Sequence, residues 1–171
     1  FGVRGSMKFS PTDAEKKRAR WAHDLFVLNI LFFHLLLTPA VIVMGVGQKG
    51  LLLPLTLSAL VIAIIYYRSR KDPSWFVEAH WRLSFNRCKL LMFGYAGSLL
   101  VFGIGWLITL GMDQESMRNI MFTVFTRIAV MPTLILAMIS TVLEASATGL
   151  VSRGEVPDKL VSSFPPPVDV S

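Results

Sequence analysis

Four polar side chains in this sequence stand inside otherwise apolar stretches, and their types could do chemistry. They are an arginine, a glutamate, a histidine and an asparagine: Arg127, Glu144, His34 and Asn29. A guanidinium group attracts anions, a carboxyl group can exchange a proton, and an imidazole can carry a proton or ligate a metal or haem iron. Which of these roles is open to each residue depends on the elements that hold it.

Long apolar runs surround these residues. They cover about residues 25–45, 51–67, 90–110 and 120–145. A helix of ~20 apolar residues crosses a hydrocarbon layer of ~30 Å, and three of the runs reach that length while the second nearly does. The sequence therefore predicts an all-α integral membrane protein, with four transmembrane helices in an antiparallel bundle that occupies residues 10–148.

Both ends of the chain are predicted to lie outside this domain. Arg4, Gly5 and Ser6 directly precede Met7, which is typical of a tag remnant, so residues 1–9 are interpreted as a remnant and a disordered N-terminus. The closing residues 149–171 are more polar and contain Pro165, Pro166 and Pro167. We expect them to form a disordered cytoplasmic tail.

The composition excludes several classes of function. Hydrophobic residues make up 53% of the chain, so a separate water-soluble domain is not expected beside four spans. The net charge of +6 comes from basic residues at the ends of the apolar runs, which indicates contact with the lipid bilayer and anionic lipid headgroups rather than nucleic acid. Cys88 is the single cysteine, and no catalytic or metal-binding motif is present, so no catalytic and no metal-ligating residue is predicted.

The basic residues also predict the orientation of the helices. Lys and Arg are concentrated before the first run and between the second and third runs, whereas the two other loops contain only Lys49 and Arg118. Because cytoplasmic loops are enriched in basic residues, both termini are expected in the cytoplasm of a multi-pass protein. Ser10 as a helix cap and the pair Asp72-Pro73 as a helix start predict that helices 1 and 3 extend into the cytoplasm.

Arg127 and Glu144 cannot both lie at an interface. If the fourth span begins near residue 120, Arg127 lies inside the bilayer, where it could bind an anion; if the span slides inward, Arg127 becomes an interfacial anchor and Glu144 is submerged. We favour the anchor. Glu144 would then be neutral, pair with a basic residue of a neighbouring helix or, less commonly, couple to protons.

His34 and Asn29 lie in the first span. Each is interpreted as an interhelical hydrogen-bonding residue. Haem ligation by His34 is the alternative, but it lacks a second histidine at a matching depth, because His23 and His80 lie at the cytoplasmic margin. No cofactor is therefore predicted, with haem as a remote possibility. Pro39 is expected to kink this helix near its outer end.

Small and amphipathic residues predict where the third helix makes contacts. Gly94, Ser98 and Gly105 fall on one helical face and would allow close helix packing, either within the bundle or in a homodimer. Basic and aromatic residues at the cytoplasmic end of the same helix are expected to contact lipid or a partner protein: Arg82, Arg87, Trp75 and Trp81.

Three functions fit these features. The first is a non-enzymatic accessory, assembly or scaffold subunit of a membrane complex, whose partners are other membrane subunits or further copies of the chain. The second is a small oligomeric transporter or channel for an anionic or proton-coupled solute, with Arg127 attracting the anion and Glu144 coupling protons. The third and weakest is a haem or quinone redox subunit that uses His34.

The basic-residue pattern generates a test of topology. Reporter fusions after Val151 should be active in the cytoplasm, and reporters inserted between Gly111 and Met117 should be active outside, because the flanking Lys and Arg residues retain their loops in the cytoplasm. Alkaline phosphatase fusions report an external position by their enzymatic activity, and green fluorescent protein fusions report a cytoplasmic position by their fluorescence. An external C-terminus would contradict the predicted orientation.

Overall fold

A computed structural model describes residues 5–167, and in it the chain is all-α apart from two three-residue strands. The elements are strand β1 (Ser6–Lys8), helix α1 (Asp13–Leu28), a π-helical segment (Asn29–Leu37), α2 (Thr38–Val43), a 3₁₀ turn (Gln48–Leu51), α3 (Leu52–Arg68), α4 (Trp75–Leu110), α5 (Glu115–Ala129), α6 (Met131–Arg153), strand β2 (Glu155–Pro157) and α7 (Asp158–Ser163). Four helical stretches are long and apolar enough to span a membrane: Asp13–Val43, Lys49–Arg68, Trp75–Leu110 and Glu115–Arg153.

Helix α1 begins at a capping box. The Thr12 hydroxyl accepts the Glu15 amide at 3.3 Å, and the Glu15 carboxylate accepts the Thr12 amide at 2.8 Å. The cap is therefore Thr12 rather than Ser10, because only Thr12 has a glutamate three residues later to complete the reciprocal pair.

The first span changes its helical geometry before Pro39. From Asn29 to Leu37 the helix is π-helical, and the Thr38 hydroxyl donates to the Phe33 carbonyl at 2.8 Å, five residues earlier. Proline has no amide hydrogen to donate, so a backbone carbonyl in the preceding turn loses its usual hydrogen-bond donor and needs another one. π segments often occur where a helix bends or holds a functional side chain, and this one holds His34 and Asn29.

Helix α4 lies at the centre of the fold. It has 36 residues and is about 54 Å long, so it exceeds the thickness of a hydrocarbon layer. The Asp72 carboxylate accepts the Ser74 amide at 3.1 Å just before the helix begins. Helices α1, α3, α5 and α6 all pack against α4.

The fourth apolar run is interrupted. Helix α5 ends at Ala129, Val130 forms a turn, and α6 begins at Met131 with Pro132 in its first turn, where the missing amide hydrogen costs least. The predicted span of residues 120–145 is thus divided between two helices, and Arg127 lies in the last turn of the first.

The two ends of the chain fold together, which differs from the predicted disorder of residues 1–9 and 149–171. Strand β1 pairs antiparallel with β2, and Gly154 ends α6 in the left-handed conformation, with φ of 70°. A side chain at Gly154 would collide with the Phe9 carbonyl, 2.8 Å from the expected Cβ position. Apolar residues explain the difference, because the C-terminal segment buries Val156, Leu160 and Val161. Residues 1–4 and 168–171 lie outside the described part of the chain.

Large apolar side chains are unusually exposed along the long helices. Phe93, Leu99, Leu110 and Val142 are each more than 60% exposed, whereas His23, His80 and Glu144 are fully buried. A water-soluble protein shows the opposite distribution. The surface of these helices is therefore suited to an apolar environment.

Small residues bring α4 close to the junction of α5 and α6. A Cβ at Gly94 would lie 3.0 Å from the Thr133 Cα, and one at Gly105 would lie 2.3 Å from the Phe125 Cβ. The hydroxyl oxygens of Ser98 and Thr133 are 2.7 Å apart. All three residues of the predicted packing face thus contact α5 or α6 of the same chain, which favours internal packing over a homodimer at this face.

Replacement of Gly94 by leucine should destabilise the fold. The side chain would meet the Thr133 backbone, which cannot move aside as a flexible side chain could, so the free energy of unfolding should fall by about 1–3 kcal/mol, as in overpacked cores. The measurement is thermal or denaturant unfolding of the detergent-solubilised protein.

Gly103→Leu is the matched control, because nothing lies within 4 Å of a Cβ at Gly103 on the same helix. Both variants gain the same intrinsic helix propensity. Equal stability of the two variants would show that the Gly94 face is not tightly packed.

Candidate functional site

Three of the long helices meet at a buried polar cluster. Helix α1 contributes His23, α4 contributes His80 and Arg87, and α6 contributes Glu144. The two histidines and the glutamate are 0% exposed, and the arginine side chain is 11% exposed. We refer to these four residues as the His–Glu–Arg cluster.

Small residues on the same helices allow the cluster to form. Ala19 and Ala22 flank His23, and Ser140 and Ala147 flank Glu144, and all four are fully buried. Short side chains let the helix backbones approach closely enough for the polar groups to meet. The Ser84 hydroxyl also donates to the Ala22 carbonyl at 3.2 Å, which joins α4 directly to the α1 backbone.

Hydrogen bonds connect the cluster in a line. Glu144 Oε2 lies 2.6 Å from His23 Nδ1, and His23 Nε2 lies 3.0 Å from His80 Nδ1. On the other side, Arg87 Nη1 donates to Glu144 Oε1 at 3.1 Å and to the Leu143 carbonyl at 2.5 Å. Both carboxylate oxygens therefore have a partner, as a buried charge requires.

The charges of the cluster cancel when both histidines are neutral. The Arg87 cation balances the Glu144 carboxylate, and a neutral His23 donates from Nδ1 to Glu144 while its Nε2 accepts from His80 Nδ1. His80 Nε2 then carries a lone pair; among residues 5–167 no group makes a well-aligned hydrogen bond with it, and the Glu155 backbone lies close to the ring. One additional proton can be held along this line if the rings change tautomer, since each histidine offers two ring nitrogens.

A second polar group joins the π segment to α3 and α4. His34 Nε2 lies 2.6 Å from the Tyr95 hydroxyl, which lies 2.7 Å from Ser58 Oγ. His34 Nδ1 lies 3.3 Å from the Asn29 carbonyl, so it donates there and Nε2 accepts from Tyr95. His34 thus has the interhelical hydrogen bond that its position indicated, whereas the buried Asn29 side chain finds no partner within the described part of the chain.

Arg127 lies apart from these groups. It is exposed and lines a cleft of about 520 Å³ together with Lys49, Thr123 and Thr126. Glu144 follows it by 17 positions, which corresponds to about 25 Å along a helix, so the two charges are well separated within the last long stretch, Glu115–Arg153. Arg127 forms no ion pair with any residue that the structure describes.

The predicted lipid or partner contacts at Trp75, Trp81 and Arg87 require correction. Trp75 is 8% exposed and stacks on Phe164 with ring centroids 5.9 Å apart, and Trp81 is 2% exposed. Phe164 of the C-terminal segment covers the Trp75 ring, whereas Trp81 lines a cleft formed with residues of α1 and α3, among them Trp21 and Arg68. Arg87 turns inward to Glu144.

Arg82 is partly exposed, but its guanidinium group already has partners within the chain. Its guanidinium group donates two hydrogen bonds to Glu78 Oε1, at 2.9 and 2.6 Å, and lies over the Phe164 ring at 3.8 Å. Of the four residues predicted to contact lipid or a partner, none offers a free exposed group.

Sequence reasoning placed His23 and His80 at the cytoplasmic margin and did not connect them to Glu144. One signal was available: His80, Ser84 and Arg87 repeat at the spacing of a single helical face, which implied a polar face toward another helix. No residue spacing in the sequence indicated that Tyr95 and Ser58 would be hydrogen-bonded.

The geometry of the histidines bears on cofactor binding. Within residues 5–167, no group of three or more His, Cys, Asp or Glu side chains is arranged to hold a metal ion. The facing nitrogens of His23 and His80 are 3.0 Å apart, whereas an ion between two imidazoles needs about 4 Å. Haem ligation by His34 would require Nε2 to leave Tyr95.

Replacement of Glu144 by glutamine should destabilise the protein strongly. The change leaves the Arg87 cation largely buried without a carboxylate, and breaking a buried ion pair costs about 3–5 kcal/mol. Unfolding of the solubilised protein in denaturant measures the loss.

Glu78→Gln is the control, because the Glu78–Arg82 pair is partly exposed and should contribute less than about 1 kcal/mol. The double variant Glu144→Gln/Arg87→Gln should recover part of the loss, since it removes the orphaned charge. If Glu144→Gln costs no more than Glu78→Gln, the cluster does not stabilise the fold.

No family model, no curated protein and no solved structure matches the chain.

Proposed function

We propose that the chain is a multi-pass membrane protein in which the four apolar stretches insert as an antiparallel bundle with both termini in the cytoplasm. The exposed apolar side chains of the long helices support insertion, because they would cost free energy in water and none in lipid. The concentration of basic residues beside α1 and between α3 and α4 supports the orientation.

Within the membrane, we propose that the protein acts as a non-enzymatic accessory, assembly or scaffold subunit of a larger complex. The observation that carries this proposal is that its inward-facing ionisable groups are bound to one another. The His–Glu–Arg cluster is buried, and none of its residues lines three surface clefts within residues 5–167, which lie next to Arg68, Arg127 and Trp75. A polar group that is buried between helices and lines none of these clefts stabilises helix packing and has no access to a solute.

One exposed face of α4 suits a partner helix. Ala96, Leu100, Gly103 and Leu107 share this face, and a Cβ at Gly103 would meet nothing within 4 Å. Small residues between leucines permit the close backbone approach by which helices associate in lipid. Further membrane subunits, or other copies of the chain, are the proposed partners, together with the bilayer and its anionic headgroups.

A small oligomeric transporter or channel for an anionic or proton-coupled solute is the second candidate. The hydrogen-bonded line from Glu144 through His23 to His80 favours it, because such a line can relay a proton. The cleft with Arg127 and Lys49 offers positive charge for an anion. A haem or quinone redox subunit that uses His34 is weaker still, since both nitrogens of that ring are hydrogen-bonded.

Native mass spectrometry of the full chain, extracted from its own membranes in a mild detergent, tests the proposed role. We expect at least one other membrane polypeptide at fixed stoichiometry. Gly103→Leu should lose that partner while it keeps the unfolding stability of the wild type, because the substitution fills the open face without touching the bundle. Gly111→Leu is the matched control, because it adds the same side chain just beyond the end of α4.

Other outcomes identify the alternatives. Purification as a monomer without partners would overturn the scaffold proposal. A homo-oligomer that drives solute or proton uptake into liposomes, and loses uptake in Glu144→Asp, would support the transporter. A visible absorption band that Tyr95→Phe shifts would support the redox subunit.

A further inference from the structure

A basic cleft lies between α1 and α3 at the end of the molecule that holds the N-terminus of α1. Its volume is about 460 Å³, and Lys17, Arg20, Trp21 and Arg68 are among the residues that line it. Of the four residues that the sequence predicted for lipid or partner contact, Trp81 lines this cleft, whereas Arg82 and Arg87 are engaged with Glu78 and Glu144.

The cleft carries an excess of positive charge. Four basic residues line it (Lys17, Arg18, Arg20 and Arg68) against two acidic ones (Asp24 and Asp72), which leaves a net charge of +2.

Two of these cations are paired and two are not. Arg18 contacts Asp72 at 3.5 Å and Arg20 contacts Asp24 at 3.7 Å. Lys17 and Arg68 are exposed and form no ion pair with any other residue in the described range. The uncompensated charge therefore comes from one side chain on each wall.

The cleft lies at the level where both helices change from apolar to charged. Helix α3 is apolar up to its last residue, Arg68, and the apolar run of the first span begins at Leu25, one turn after Trp21. Trp21 is 54% exposed, and an indole with one exposed edge is typical of the boundary between lipid and water. Phosphate groups of phospholipids occupy this same level.

Exposed apolar residues continue both walls toward the middle of the bundle. Leu28 lies two turns after Trp21 on the same helical face, and Phe32 follows it; on α3, Ile64 lies one turn before Arg68. They are 43%, 50% and 50% exposed. The cleft thus opens onto an apolar track that matches the acyl chains of a lipid.

We propose that this cleft binds the headgroup of one anionic phospholipid, with the lipid phosphate between Lys17 and Arg68 and an acyl chain along Leu28 and Ile64. The proposal rests on the membrane insertion proposed above. A phospholipid fits better than a free anion because the cleft matches each part of the lipid in order. The basic residues would contact the phosphate, Trp21 lies at the level of the interface, and the exposed apolar residues continue toward the acyl chains. Basic side chains at such an interface each contribute appreciably to the binding of acidic lipid.

The test is a titration of the full solubilised chain with dioleoyl phosphatidylglycerol or dioleoyl phosphatidylcholine, followed by native mass spectrometry. We expect one phosphatidylglycerol to bind in preference to phosphatidylcholine. Lys17→Gln/Arg68→Gln should weaken that binding by about 25-fold, at about fivefold for each cation. Excess inorganic phosphate should not displace the lipid.

Lys49→Gln/Arg127→Gln is the matched control, because it removes the same net charge from the cleft at the other end. Equal loss in the two double variants, no preference for phosphatidylglycerol, or displacement by phosphate would overturn the proposed site. Incorporation into phosphatidylcholine vesicles is measured first for every variant. Failure of the wild type to incorporate would instead refute membrane insertion.

Discussion

The ion pair between Glu144 and Arg87, extended by the hydrogen bond from His23, is the constraint on which the rest of the structure depends. A carboxylate with no exposed surface is stable only when each oxygen has a partner, and here the partners come from two other helices. Rotating or sliding α1, α4 or α6 by one residue would break at least one of these contacts. The cluster therefore fixes the rotation and register of three helices whose apolar faces alone would allow several arrangements.

A second constraint acts at the same end of the molecule, where the two ends of the chain cover the cluster. The pairing of β1 with β2 and the burial of Val156, Leu160 and Val161 place a folded cap beside His80 and Trp75. Apolar residues in the segment that follows α6 need a surface on which to pack, and the long extension of α4 provides it. Water is thereby kept from the histidines.

Buried polar groups connect the helices inside the molecule, and large apolar side chains are exposed on its surface. Inside, charge and hydrogen-bonding capacity are largely matched at the His–Glu–Arg cluster and at the Tyr95 hydroxyl. Outside, apolar side chains are exposed along the long helices, and basic residues line a cleft at each end of the molecule.

The sequence by itself determined the number of apolar helical stretches, the extension of the third helix to Trp75 and the face that carries Gly94, Ser98 and Gly105, because these depend on local composition and helical spacing. It also indicated that a submerged Glu144 would be neutral, pair with a basic residue of a neighbouring helix or couple to protons. Only the tertiary structure decided that its partners are Arg87 and His23, the latter 121 positions away, that Trp75 packs against Phe164 of a folded C-terminal segment and that Trp81 is buried. Such contacts depend on how whole helices rotate and meet, and helical spacing shows which residues share a face but not which helix that face will contact.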